Sequence, residues 1–487
     1  MSRLPAILAA LVLVAACRSD RVLAPDDAAG TSDTAPEAGA EADPEPEVGA
    51  AGIGDPYYPS LGNGGYDVAH YDLELDVDPA SGAIEATATI EATATVSLSR
   101  FNLDLTGLEV ASITVDRDPA TFEREASELE ISPAEPIGAG DEFVVAVAYG
   151  GVPQPIDSEA LGQVGWTTTD DGGVYVLSEP EGASTWFPAN DHPLDKAPFS
   201  YRITVPDGVE VAANGLLREQ VPTGDGRTTW VFDARDPMAP YLATVGIGQF
   251  VFEETQGPGG VLIRNAFAES LAVDASFDFG RTPEMIEVFN QMFGPYPFEA
   301  AGALVVDEFI GVALETQTMS LFGAEIVDGG RRGETIVAHE LAHQWFGDSV
   351  SVARWQDIWL NEGFATYAQW LWDEHLGSGT VDAIARDTAE AMSDNPNLGR
   401  PPPGDPGPAQ LFAASVYERG ALTVHALRLT IGDDAFFETL RTWTAEFADA
   451  TATTDDFVEV AEQASGQQLD ELIEAWLFDE EVPALPG

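Results

Sequence analysis

The sequence predicts an α+β multidomain chain, an N-terminal antiparallel β domain followed by a mainly helical domain, and three observations carry that reading. Between residues 57 and 255 the dominant apolar period is two: Tyr71, Leu73, Leu75 and Val77 alternate with Asp72, Glu74 and Asp76. Beyond residue 256 the apolar spacing becomes helical over several long stretches. Before both lies a segment with almost no large apolar residue, which cannot bury a core.

In chain order, residues 1–17 read MSRLPAILAALVLVAAC, with Arg3, an apolar run from Ile7 to Val14, and Ala15-Ala16 before Cys17. That run is too short for a stable bilayer anchor, so it reads as an export signal. Val14-Ala15-Ala16-Cys17 also resembles a bacterial lipobox, whose cysteine is acylated. Cys17 is the only cysteine in 487 residues, so no disulfide can form within the chain. The expectation is an exported lipoprotein of the bacterial cell envelope, tethered to a membrane but not spanning it. Residues 18–56, rich in Ala, Asp, Glu and Pro, read as a disordered acidic linker.

In the 57–255 region, Ile84 to Val96 alternates Ile, Ala and Val with Glu and Thr, and Phe143, Val145, Val147 and Tyr149 repeat the pattern. Such strands bury one face and wet the other, which implies an antiparallel sheet. Gly257-Pro258-Gly259-Gly260 marks the expected boundary to a second domain over 256–487. There, Phe277 to Phe293 reads as a helix, Ala303 to Val306 as a strand, and Trp359 to Leu376 as a helix stopped by Gly377. Asn395 to Pro408 is a Pro/Gly loop, and helical patterns follow over Leu411–Ile431, Ala435–Phe447, Phe457–Ala464 and Leu469–Phe478.

Chemistry concentrates in Glu334 to Gly363. His339-Glu340-Leu341-Ala342-His343 matches H-E-x-x-H on a helical stretch, and positions i and i+4 project two imidazoles from one face. Glu362 follows at the start of the next helix. Two imidazoles and a carboxylate leave one position of a tetrahedral zinc open, as a catalytic rather than structural site requires. With six histidines and 83 acidic residues, the motif arises by chance in on the order of one per cent of such chains. His192, His375 and His425 lack ligand spacing and read as packing or surface residues.

The block HELAHQWFGD, the WLNEGFATY stretch around Glu362, GVALETQT upstream and SVYERGA downstream together resemble the gluzincin aminopeptidases, the family of aminopeptidase N and leukotriene hydrolase. The resemblance covers about Tyr57 to Pro486. It implies a thermolysin-like catalytic domain behind the β domain, without the C-terminal helical-repeat domain of many relatives. It further implies one Zn2+ per chain on His339, His343 and Glu362, with Glu340 as general base and Tyr417 as the catalytic tyrosine. Peptides with a free N-terminus are the implied substrates. Glu179, in Leu177-Ser178-Glu179-Pro180-Glu181-Gly182-Ala183, and Glu315 match the carboxylates that bind the terminal ammonium. Gly311-Val312-Ala313-Leu314-Glu315-Thr316 resembles the G-x-M-E-N substrate strand, with Leu314 for methionine and Thr316 for asparagine. Gly311 and Ala313 would then lie beside the substrate backbone. Arg419 stands where lysine is common in the family.

Charge narrows the field. Eighty-three acidic against 21 basic residues give a net charge of −62, and Lys196 is the only lysine. Phosphate backbones need a basic surface, so nucleic acid is not an expected partner. Adaptation to high salt is one expectation from this acidity. Two other functions fit the same residues: epoxide hydrolysis on the same zinc site, and a non-catalytic surface-binding lipoprotein. No G-x-S-x-G elbow, Walker A loop or dinucleotide glycine fingerprint is present.

Overall fold

The computed structural model describes residues 46–169 and 172–486. The signal segment, Cys17 and most of the 18–56 linker lie outside the described residues. The last part of that linker belongs to the fold instead. Glu47–Val48 pairs parallel with the strand Leu98–Asp104. Asp55 is buried and accepts the N–H groups of Tyr57 at 2.8 Å, Tyr58 at 2.9 Å and Trp355 at 2.9 Å. Composition hides this because the anchor is one carboxylate, with no apolar run to reveal it.

The main sheet runs in the order Leu216–Pro222, Arg227–Met238, Ala197–Pro206, Tyr66–Asp78, Ala83–Ala94, Glu142–Gly151, Glu109–Val115 and Asp118–Pro119. The alternation sets its faces: Tyr71, Leu73, Leu75 and Val77 are buried, whereas Glu74 and Asp76 are exposed. One pair departs from the expected antiparallel pattern. Ala197–Pro206 lies parallel to Tyr66–Asp78, because it arrives by a long crossover rather than a hairpin. The central strand of a second, five-stranded sheet, Val174–Leu177, delivers Glu179 two residues later.

The Gly257–Gly260 stretch is not an interdomain linker. It closes a hairpin between Phe250–Gln256 and Leu262–Ala268, paired in register Gln256↔Leu262. The second of these strands also pairs with Ala303–Val305, so one sheet crosses the expected boundary at residue 255. Turn chemistry and linker chemistry use the same glycines.

The helical part comprises α1 (Ala272–Asp278), α2 (Thr282–Phe293), α3 (Glu334–His343), α4 (Trp359–Leu376), α5 (Val381–Asp394), α6 (Ala414–Ile431), α7 (Asp433–Glu446), α8 (Thr454–Ser465) and α9 (Asp470–Leu477). The single helix expected over Phe277–Phe293 is two, broken around Gly280 with Pro283 setting the start of the second. Helix α4 ends as expected at Gly377, in the left-handed conformation at φ 73°. One apolar core runs continuously through the β and helical parts. Among the described residues no helix is long and apolar enough to cross a membrane.

Candidate metal and catalytic site

Helix α3 buries Val337, Leu341 and the following Trp345, which turns His339, Glu340 and His343 toward α4. Glu362 in the first turn of α4 meets them. Its Oε2 lies 3.1 Å from His339 Nε2 and 3.4 Å from His343 Nε2. The three ligand atoms all fall within 4.8 Å of one another.

The tautomers fit a metal. His339 Nδ1 faces Gln369 Oε1 at 3.0 Å, and His343 Nδ1 faces the Phe346 carbonyl at 3.0 Å. A carbonyl only accepts, so each Nδ1 carries the hydrogen and each Nε2 keeps a lone pair for an ion. Burial would raise the Glu362 carboxyl, but His343 and the imidazole hydrogen bonds outweigh it and hold it down at about 2. Burial opposes charge on His343, yet Glu315 and Glu362 raise it well above the usual histidine range. The pocket thus attracts positive charge, as a cation site must.

Glu340 is buried beside these ligands, and burial pushes its carboxyl well above the ordinary range, making it a stronger base once ionised. The Tyr417 ring, on α6, stacks on His339 with centroids 5.9 Å apart and 22° between planes. Desolvation and the surrounding carboxylates raise its hydroxyl well above 10, so it keeps its proton and can donate it. Glu179 and Glu315 are each 3 % exposed, and each has an Oε1 with no protein partner among the described residues. Both line the same cavity of about 260 Å³ as His339, Glu340, His343, Glu362 and Tyr417. A buried acceptor without a donor is costly, so these two oxygens are matched to a donor that the protein itself does not provide.

The Gly311–Thr316 stretch is not a regular strand. Leu314 bridges Leu321 through N–H···O contacts of 3.0 and 2.7 Å, and the neighbouring Ala313 lines the cavity. Gly311 does not line the cavity. It is exposed at φ 85°, and its N–H donates to Glu325 Oε1 at 2.6 Å. In G-x-M-E-N the glycine precedes the glutamate by three positions, which is Val312 here, and Val312 does line the cavity. Thr316 closes a turn by donating its hydroxyl to the Met319 carbonyl.

Several residues of the site carry no motif of their own. Gln369 sits seven residues after Glu362, two turns along the same face of α4, a spacing that could have revealed it. Gln344 Nε2 donates to the Glu315 carbonyl at 2.9 Å and to Asp348 Oδ2 at 2.7 Å, tying the end of α3 to the Glu315 stretch. Lys196 donates to the carbonyls of Asp348 at 2.7 Å and Ser349 at 2.8 Å, fixing the loop after His343 to the β domain. Arg419 is fully buried and donates to the carbonyls of Gly399, Ala475, Trp476 and Asp479. His192 is structural, with Nε2 3.2 Å from Asp55 Oδ2.

An H-E-x-x-H helix with a buried glutamate beside its histidines, and a third carboxylate on the next helix, mark the zinc metallopeptidase class. Residues 68–242 match the Peptidase M1 N-terminal domain and residues 277–476 the Peptidase family M1 domain. The M1 zinc metallopeptidase of Deinococcus radiodurans superposes with a TM-score of 0.81 at 33% identity, over 90% of this chain and 99% of that one. A mutant of it, bound to a Tyr-Ser-Ala substrate, superposes with a TM-score of 0.82 over the same shares. Aminopeptidase M1-A of Oryza sativa is 25% identical over 78% of this chain and 47% of its own length. Aminopeptidase N of Streptomyces lividans is 28% identical over 63% and 38%. The chain belongs to peptidase family M1. It spans about half the length, or less, of the curated relatives it matches.

Proposed function

We propose that the protein is a zinc aminopeptidase that hydrolyses the first peptide bond of peptides with a free N-terminus. The observation that carries this is the pair of partnerless carboxylate oxygens on Glu179 and Glu315, buried in the cavity that holds the metal-binding trio. An α-ammonium fixed there would tie cleavage to the N-terminus of the peptide.

Zinc held by His339, His343 and Glu362 supplies Lewis-acid polarisation of the scissile carbonyl and acidifies water. Glu340 takes the proton of the attacking water and returns it to the leaving amine. Tyr417 donates its hydroxyl hydrogen to the carbonyl oxygen as negative charge develops, an interaction strongest in the transition state. The Ala313 backbone aligns the extended peptide by strand addition.

A peptide series with free and N-acetylated termini tests the assignment. Cleavage of the free peptides alone is expected, and equal cleavage of both would sink it. Nothing in the cavity favours a lipid epoxide over a peptide, and the intact trio with Glu340 and Tyr417 favours catalysis over passive binding.

Export and acylation at Cys17 are part of the same reading, supported by the Val14-Ala15-Ala16-Cys17 sequence. Cys17→Ala should move the protein from the membrane fraction to the soluble fraction, and retention in the membrane would refute the anchor.

A further inference from the structure

The strand Leu98–Asp104 pairs antiparallel with Glu128–Ser132, in register Asn102↔Glu130 and Asp104↔Glu128. Side chains alternate across a strand, so Asn102, Asp104 and Glu128 are neighbours on one face. An isolated bridge between Asp104 and Ala189 lays the turn carrying Asp191 against the end of that strand. Asp191 then donates its N–H to Asp104 Oδ2 at 3.0 Å, and Asn63 Nδ2 reaches the same oxygen at 3.1 Å.

Each of those two donors brings an oxygen that accepts nothing, Asp191 Oδ1 and Asn63 Oδ1. Asn102 Oδ1 and both carboxylate oxygens of Glu128 are in the same condition. Asn63 is 0 % exposed, Asp104 and Asp191 1 % and Asn102 4 %. All five orphaned atoms are acceptors, so further protein acceptors or apolar packing cannot satisfy them. Among the described residues no basic side chain forms an ion pair with Asp104, Glu128 or Asp191. Arg100, on the same face, is engaged with Glu130 at 2.7 Å.

Carboxylates mixed with amide carbonyls, and no imidazole or thiol, are the donor set of a hard cation. We propose that Asp104, Asp191 and Asn63 bind a divalent cation of the calcium type, with Asn102 and Glu128 bordering its water shell. Burial agrees with the need for positive charge: it pushes the Asp191 and Glu128 carboxyls up to about 7 and Asp104 well above its ordinary value.

The ion has a structural consequence. Asn63 belongs to the segment that Asp55 clamps to Trp355 N–H at 2.9 Å and to His192 Nε2 at 3.2 Å. Calcium at Asn63 therefore fastens the N-terminal segment to the β domain a second time, eight residues further on. None of these ligands lines the catalytic cavity, so the site stands or falls independently of the peptidase reading.

The test uses the full chain carrying Glu362→Gln, which removes the zinc trio as an alternative home for the ion. After exhaustive removal of exchangeable ions, CaCl2 is titrated by calorimetry, and melting temperature is followed at constant ionic strength with MgCl2 as comparison. One calcium per chain, a saturable rise in melting temperature and an affinity loss of at least about tenfold in Asp191→Asn are expected. Should Asp191→Asn fail to fold, Asn63→Ser keeps every carboxylate and should still weaken binding. Absence of saturable calcium binding overturns the proposal. So does unchanged affinity in the folded variants, or an Asp191→Asn variant stabilised equally with and without calcium, which would mean that the cluster holds protons instead.

Discussion

At the scale of single residues, the groups proposed as catalytic divide by what they would do when the reacting carbonyl gains charge. Tyr417 keeps its proton because its hydroxyl is desolvated among carboxylates, so its hydrogen bond is available when the oxyanion forms. Tyr417→Phe should lower kcat by roughly a hundredfold to a thousandfold with KM within a few-fold, because the lost interaction belongs to the transition state. Steady-state kinetics on an aminoacyl chromogenic substrate, beside zinc content by elemental analysis, checks this; a rise in KM alone would place the tyrosine in ground-state binding. The clustering of His339, Glu340, His343 and Glu362 was legible because an i, i+4 pair and a third side chain in the next helix's first turn sit on helices, and helices write their spacing into sequence. Gln344, Gln369 and Lys196 were not, because a side chain that orients a ligand or pins a loop is defined by a partner far away in the chain. Gly311 failed for a related reason. Its conformation serves a turn held by Glu325, and the backbone beside the cavity begins one residue later.

Between elements, the decisive contact is where α4 crosses α6. A Cβ placed on Gly420 would lie 2.9 Å from the Gly363 Cα, and one on Gly363 would lie 2.9 Å from the Gly420 carbonyl carbon. The two backbones therefore touch, one residue after Glu362 and three after Tyr417. This crossing sets the distance between those two side chains. Gly420→Ala adds one methyl group where neither helix has a side chain to yield, and overpacking of this kind costs about 1–3 kcal/mol. The expected result is a lower melting temperature, zinc retained near one per chain, and a kcat reduced severalfold as Tyr417 is displaced. Unaltered kcat in a folded variant would show that the helix crossing does not govern that distance. At this scale the sequence disclosed α4 and α6 nearly to their ends, since long apolar periods and a terminal Gly377 are local signals. It misread the Gly257–Gly260 turn, the break between α1 and α2, and the single parallel pair in the main sheet. Each of these depends on which strand or helix lies alongside, and no local pattern states that.

For the molecule as a whole, the governing quantity is the net charge of −62 on the sequence. Over the whole sequence acidic residues outnumber basic ones about fourfold, and basic side chains such as Arg202, Arg227 and Arg386 are already engaged with Asp72, Asp76 and Asp382. Added salt acts on both populations. It weakens those pairs, each worth about 0–1 kcal/mol at a surface, and it screens repulsion among the far more numerous unpaired carboxylates. The screening length shortens from about 10 Å at 0.1 M to about 3 Å at 1 M, below the usual spacing of surface charges. Relief of repulsion therefore outweighs loss of pairs, and the melting temperature should rise by several degrees over that range. Choline chloride and sodium chloride at equal ionic strength should give the same rise, because screening depends on charge and concentration alone. A flat or falling melting curve would remove self-repulsion as a determinant of stability, whereas a rise confined to one cation would point to ions bound at defined sites.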